Sequence, residues 1–201
     1  METQTKNFTP EESLKLISET ISNFKRNYKQ DSYFFLLWGW IISLASISHF
    51  FILKKLHSLE LYSKMSVMSI LNWAFFVTVG VIILIFYKRK LQKSILVISH
   101  LERFIRILWQ VSAIGFFLVA VVTQFLKIYS PVPFMLIIGG ISTLVTGILI
   151  RFSYLIVGGI LFFVFAVYSV FVPEMYQLLV CAGAIVTGYL IPGYILRNTK
   201  D

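Results

Sequence analysis

Long apolar stretches alternate with short charged segments along this chain, which is the pattern of a membrane protein with several spanning helices. A spanning helix needs roughly 20 mostly apolar residues to cross the hydrocarbon core. Six stretches meet that requirement, at residues 33–53, 66–87, 104–126, 133–150, 154–172 and 177–196. We therefore predict an all-α protein whose residues 33–201 form a domain of six transmembrane helices.

The fourth and fifth stretches are separated by one charged residue, Arg151. A single helix over the 39 residues from Phe134 to Val172 would be roughly 58 Å long, about twice the thickness of the hydrocarbon core. The chain must therefore fold back, and the turn is predicted at Arg151, Phe152 and Ser153. With the other loops, this pattern predicts three helical hairpins.

Residues 1–32 are predicted to form a separate cytoplasmic element ahead of the first span. Thr9, Pro10 and Glu12 occupy the N-cap, N1 and N3 positions of a capping box. Apolar residues then recur at spacings of three and four, which place them on one face of a helix: Leu14, Ile17, Ile21, Phe24 and Tyr28. We predict an amphipathic helix over residues 9–29 that lies on the membrane or on the protein's own loops, in preference to a dedicated partner-binding or dimerising helix.

A second amphipathic segment precedes the third span. Its basic residues Lys88, Arg89, Lys90 and Lys93 are followed by an apolar stretch over residues 95–101. Helix is predicted from about Leu91 straight into the third span. The first and third spans are thus each preceded by an amphipathic element, and the two elements are candidates to pack together.

Composition supports a membrane location, and the distribution of charge predicts an orientation. Hydrophobic residues make up 58% of the chain and charged residues 13%, a surface that a soluble domain could not solvate. The Lys and Arg residues divide into 14 on one side of the predicted spans and 4 on the other. The positive-inside rule therefore places both termini in the cytoplasm. This asymmetry explains the net charge of +9 without a nucleic-acid partner.

Small residues are concentrated in the fourth span, where Gly139, Thr143 and Gly147 form one four-residue row. In lipid there is no hydrophobic driving force between helices, so their association depends on close packing, which rows of small residues permit. We predict that this span is the buried centre of the bundle, with Gly158 and Gly159 as neighbours. A polar lining for a pore is the alternative interpretation.

Strongly polar residues inside the predicted spans are few, and four of them stand out: His49, Asn72, Gln124 and, at a span end, Gln177. With the predicted orientation all four lie in the outer part of the bilayer. They are candidates for a polar outer vestibule, because polar residues at membrane depth mark functional sites. The alternative is that each reaches the interface or joins a structural hydrogen bond.

Catalytic and metal chemistry find little support in the sequence. No predicted span contains Asp or Glu at depth, which disfavours a carboxylate proton relay. His49, His57 and His100 are divided between opposite membrane faces, and the single Cys181 lies inside the last span. We therefore predict no catalytic residues, no metal site and no cofactor, and hence a protein that is not an enzyme.

Aromatic and proline residues mark the span ends. Aromatic side chains at the entry of the first and third spans, including Phe35 and Trp109, are predicted to anchor the helices at headgroup level. Pro192, followed by Gly193, removes a hydrogen bond to the residue four positions earlier and is predicted to kink or loosen the last span.

Two of these regions carry a resemblance. The segments FFLLWGW at residues 34–40 and GYLIPGYIL at residues 188–196 resemble a family of small, uncharacterised polytopic membrane proteins of Bacteroidetes. The resemblance implies a bacterial inner membrane. It implies no activity and no functional residue.

The expected function follows mostly by subtraction. The cytoplasmic amphipathic elements are the best-formed features outside the spans, so we expect a non-enzymatic component that signals to, or assembles with, a partner. The expected partners are the lipid bilayer and a protein partner or a second copy of the chain. The alternative is a small transporter or channel for an uncharged or apolar solute, with the polar vestibule as its entrance.

Overall fold

The computed structural model describes residues 10–91, 100–126 and 130–198, with side chains from residue 32 onward apart from a few beside the first gap. Every element in these ranges is helical, and none of them is a strand. The helices are α1 (Pro10–Ser58), α2 (Tyr62–Leu91), α3 (His100–Phe125), α4 (Val132–Leu149), α5 (Ser153–Val170), α6 (Glu174–Ile185) and α7 (Ile191–Asn198). A π-helical turn, Val186–Leu190, joins α6 to α7.

Six helical segments of the described ranges are long and apolar enough to cross a membrane. They are Ser32–Ser58, Tyr62–Tyr87, Arg103–Phe125, Val132–Leu149, Ser153–Val170 and Glu174–Asn198. The prediction of six apolar spanning helices in an all-α chain is therefore confirmed. The last of them consists of α6, the π turn and α7 together, and is called the sixth span below.

The first helix is longer than one span. α1 covers 49 residues without interruption, so the segment ahead of the membrane and the first span are one helix and not two. The predicted N-cap, Thr9, lies outside the described residues, as do residues 92–99 of the second predicted amphipathic element. α2 continues to Leu91, and α3 begins at His100.

Two interhelical turns share one geometry. Glu60, between α1 and α2, and Arg151, between α4 and α5, both have φ of 55°. At the second turn the N–H of Phe152 donates to the carbonyl of Gly147, and the N–H of Arg151 to that of Ile148. This is the Schellman pattern that ends many helices. It places the α4–α5 turn at the predicted Arg151.

Neighbouring helices run antiparallel, which can be read from the residues in contact. Tyr33 of α1 stacks on Tyr87 of α2, with ring centroids 3.7 Å apart. The bundle therefore has two ends, which we name the Glu60 end and the Arg151 end after the turns that lie there. At the Glu60 end, Phe50 of α1 contacts Tyr176 of α6.

The helices divide into an inner and an outer set. α4 packs most extensively on α5, α1 packs on the sixth span, and α5 also contacts that span. α2 packs mainly on α1, and α3 mainly on α4. Buried residues make up 56% of the most apolar window of the sixth span but only 11% in α2 and 6% in α3. The centre of the bundle is thus shared by α1, α4, α5 and the sixth span.

An aromatic core joins four of the helical elements. It consists of Phe35, Trp109, Phe162 and Tyr189, with centroid distances of 5.9 Å for Phe35–Trp109, 5.7 Å for Phe35–Tyr189 and 5.0 Å for Phe162–Tyr189. Phe35 is only 2% exposed. The prediction that Phe35 and Trp109 belong to an interfacial belt is therefore wrong, because tertiary packing turns both rings into the bundle.

Candidate functional site

The main polar cluster of the described residues lies between α1 and α2, toward the Glu60 end. Asn72 of α2 donates from Nδ2 to the backbone carbonyl oxygen of Ala45, at 3.0 Å. Its Oδ1 accepts a hydrogen bond from the hydroxyl of Ser48, at 2.9 Å. Asn72 is buried, so both ends of a buried amide are bonded to the neighbouring helix.

His49 is held in the same cluster by two side chains of α2. The indole N–H of Trp73, which can only donate, lies 3.1 Å from His49 Nδ1. Nδ1 is therefore the acceptor, and the proton of the neutral ring is on Nε2, 2.6 Å from the Ser69 hydroxyl. Ser69 in turn donates to the carbonyl oxygen of Met65 at 2.8 Å. Both ring nitrogens of His49 are thus bonded within the protein.

The two other residues predicted for the vestibule lie elsewhere. Gln124 is exposed near the end of α3, a helix that packs on α4 rather than on α2. Gln177 is buried on α6, where its Nε2 donates to the carbonyl oxygen of Val172 at 3.0 Å. The structure therefore brings His49 and Asn72 into this cluster, which we call the polar network, and leaves Gln124 and Gln177 outside it.

Three members of the network were missed by the sequence analysis: Ser48, Ser69 and Trp73. A signal for them is present in the sequence. Asn72 and Trp73 follow Ser69 by three and four residues, which places all three on one face of a helix. Serine or tryptophan alone does not indicate such a network, because each is common in membrane helices without a polar neighbour.

The hydrogen bonds of this network have a structural role. The Asn72 amide and both ring nitrogens of His49 face another polar side chain of the network or a backbone carbonyl. Interhelical hydrogen bonds of this kind hold two spanning helices in register, each contributing about 0.6 kcal/mol on average. The network therefore fixes α2 on α1.

The last span carries the second unusual feature, in the Arg151 half of the bundle. Pro192 has no N–H, and a proline ring collides with the carbonyl four residues earlier, here that of Gly188. The helix responds with the π turn, in which the N–H of Ile191 donates to the carbonyl of Val186, five residues back. Gly193 then lies against Leu36 of α1. The helix is thus widened just before Pro192.

Tyr189 lies on this π turn and connects it to the row of small residues in α4. Its side chain is 3% exposed, and its hydroxyl oxygen would lie 3.7 Å from a Cβ atom added at Gly139. The hydroxyl of Thr143 donates to the carbonyl of Gly139 at 2.7 Å. Gly139 of the predicted row therefore leaves room for the Tyr189 hydroxyl, and Gly147 packs directly on the backbone of α5.

A few buried polar atoms have no hydrogen-bond partner in the described part of the chain, among them Ser43 Oγ, Trp109 Nε1 and Gln177 Oε1. They belong to three different helices and do not define a common site. The described residues also hold no group of three His, Cys, Asp or Glu side chains that could bind a metal ion.

Comparison with known proteins gives no family to which the chain could be assigned. It matches no protein-family model, no curated protein and no solved structure. Function must therefore be argued from the geometry of this chain.

Proposed function

We propose that this protein is a non-enzymatic component of a bacterial inner membrane, with both termini in the cytoplasm, that signals to or assembles with a protein partner. The segment proposed to meet the partner is the amphipathic part of α1 ahead of the first span, residues 10–31. The bundle anchors this segment in the membrane, and its inner helices transmit or receive the signal.

One observation carries the proposal: α1 is continuous from Pro10 to Ser58. The first span begins at Ser32, so about 22 residues, or roughly 33 Å of helix, precede it. In the bundle the same helix packs against α2, α6, the π turn and α7. A helix transmits displacement along its axis without an intervening hinge, so a partner on residues 10–31 would act directly on the inner set of helices.

The polar groups inside the bundle support an anchoring role. His49 and Asn72 bond to side chains and carbonyls of the α1–α2 pair. Thr143, Thr146 and Ser142 each donate to a carbonyl of their own helix. Groups that are already bonded offer little to a passing solute, because a solute would have to replace those bonds.

A small transporter or channel for an uncharged or apolar solute is the alternative, and one observation favours it. π-helical turns in membrane and soluble helices occur frequently at functional sites, and the turn at Val186–Leu190 lies in the most buried span. Widening or closing of this turn would serve as a gate.

The proposed orientation predicts the location of reporter fusions. A reporter fused after Glu60 should be found outside the cytoplasm, and one fused after Asp201 inside it, because the basic residues are concentrated on the side of the termini. Alkaline phosphatase and green fluorescent protein fusions give opposite readouts at each position. Both fusion points in the same compartment would contradict the proposed topology.

The two functions predict opposite responses to two sets of substitutions. We expect the phenotype of a chromosomal deletion to be restored by a chain with Asn72→Leu, but not by one with Ile17→Ser, Ile21→Ser and Phe24→Ser. The triple variant removes the apolar stripe of α1 and leaves every span intact. Asp31→Pro, with Asp31→Ala as its matched control, breaks α1 between stripe and span and should also fail.

Immunoblots of isolated membranes establish that each variant is inserted in equal amount. The second measurement is solute flux through the purified protein in liposomes. We expect none, because the proposed component does not transport a solute. Sustained solute flux that Asn72→Leu abolishes, together with normal complementation by the triple serine variant, would establish the transporter instead.

A further inference from the structure

The outward face of α3 carries a polar pattern of which only Gln124 was predicted to have a functional role. At alternating spacings of three and four, one stripe of this helix contains Ile107, Gln110, Ile114, Phe117, Val121 and Gln124. We name this stripe the α3 seam. Its two glutamines are exposed and stand 14 residues apart, which is two heptads and therefore the same face of the helix.

The α3 seam lies opposite the face that packs on the rest of the protein. Ser112 is buried and hydrogen-bonds to Ser142 of α4, at 2.6 Å. Gly115 faces Ile138, which is also on α4. Ile114 and Phe117, by contrast, are 60% and 68% exposed. A helix of 3.6 residues per turn directs these two sets of side chains to opposite sides.

Exposure of Gln110 is costly in a bilayer. Gln110 lies seven residues inside the span that begins at Arg103, which is roughly 10 Å along the helix. A primary amide there has two donors and an acceptor, and hydrocarbon provides no partner for them. Polar side chains at such depth therefore face other protein in membrane bundles. In the described structure the side opposite α4 offers none.

We propose that the α3 seam is the interface of a homodimer, in which α3 of one chain packs against α3 of a second copy. All copies inserted with one topology share the same direction of α3, so a two-fold axis along the membrane normal makes the two helices parallel. Each seam residue then meets its own counterpart. An amide donates and accepts at once, so Gln110 pairs with Gln110 and Gln124 with Gln124 of the second copy.

The heptad spacing fits this occupant. A stripe at alternating spacings of three and four gives the left-handed crossing at which parallel helices interlock over several turns. Two polar residues on the same heptad position set the register, because sliding by one turn would place both amides against apolar side chains. The inference stands on α3 alone and goes beyond the proposed function, so either can fail without the other.

The first experiment uses disulfide crosslinking in native membranes. The only native cysteine, Cys181, is buried and is replaced by serine. In this background Ile114→Cys, at the middle of the α3 seam, should form dimers on oxidation. Phe75→Cys, at an exposed position of the other peripheral helix, is the matched control and should not. Crosslinking at Phe75 and not at Ile114 would overturn the proposal.

The second experiment measures the dimer fraction by single-molecule photobleaching in liposomes over a range of protein densities. Gln110→Leu with Gln124→Leu should weaken dimerisation by roughly tenfold or more, since two interhelical amide pairs are lost. Gln110→Asn keeps an amide at the interface and should retain most of the dimer. A wild-type chain that remains monomeric at all densities, or a dimer that the leucine variant leaves unchanged, would overturn the proposal.

Discussion

Gly147→Leu should destabilise the bundle more than any other single enlargement tested on α4, and the smaller change Gly147→Ala should already cost about 1–3 kcal/mol. A Cβ atom at residue 147 would lie 2.7 Å from the backbone nitrogen of Ile156 and 3.0 Å from the carbonyl carbon of Leu155. Backbone atoms of a packed helix cannot rotate away. The α4–α5 pair must therefore separate, and it is the most extensive contact in the bundle.

Gly183→Ala on the sixth span is the matched control for this prediction. It makes the same chemical change in a helix, but the added Cβ would meet only Phe165, at 3.9 Å. Because alanine is the better helix former, this variant should be neutral or slightly more stable. Thermal unfolding of the purified protein in mild detergent should show an apparent Tm lower by several degrees for Gly147→Ala alone, roughly 2–4 °C for each kcal/mol. Equal midpoints for the two alanine variants would show that α4 and α5 are not in close contact.

Gly188→Ala should also destabilise the protein strongly, but through a collision that a second substitution can relieve. A Cβ atom at residue 188 would overlap the ring of Phe162 on α5. Phe162 is 1% exposed and packs on Tyr189, so its ring has no free space to enter. We expect a loss of about 1–3 kcal/mol from overpacking.

Phe162→Leu should partly rescue the Gly188→Ala variant. Phe162→Leu alone removes part of a buried ring and should cost stability, yet in the double variant the space it leaves receives the new methyl group. The double variant should therefore be more stable than the sum of the two single changes predicts, which a double-mutant cycle measures. Gly147→Ala gives a contrasting control, because its collision is with backbone and Phe162→Leu should not relieve it. Simple additivity of Gly188→Ala and Phe162→Leu would contradict the packing of the π turn on α5.

Both predictions depend on details that only some of the sequence patterns anticipated. The number of spans follows directly from the length of each apolar stretch, because hydrocarbon thickness sets the number of residues needed to cross it. The turn at Arg151 follows from the same measure. The wide π turn before Pro192 could be anticipated only as a disturbance, since proline removes a hydrogen bond without specifying how the helix accommodates the loss.

The candidate polar site was predictable in part. His49 and Asn72 stand out in apolar stretches, and both join one network. Gln110 lies deeper in its span than Gln124, yet it is not among the four residues predicted for the vestibule. Only the structure shows that Trp109 turns into the bundle while the next residue, Gln110, stays exposed.

The sequence by itself determined the helical class, the six spans and the small residues that permit close packing. Tertiary structure alone decided which helices are inner and which are outer. α2 and α3 are more apolar than α1 and the sixth span, yet they are the least buried of the six. In a water-soluble protein, an apolar side chain is expected to be buried in the protein interior. In a membrane, lipid and protein interior are equally apolar, so hydrophobicity cannot tell a lipid-facing helix from a central one. That distinction depends on which backbones approach closely, and close approach is a property of pairs of helices.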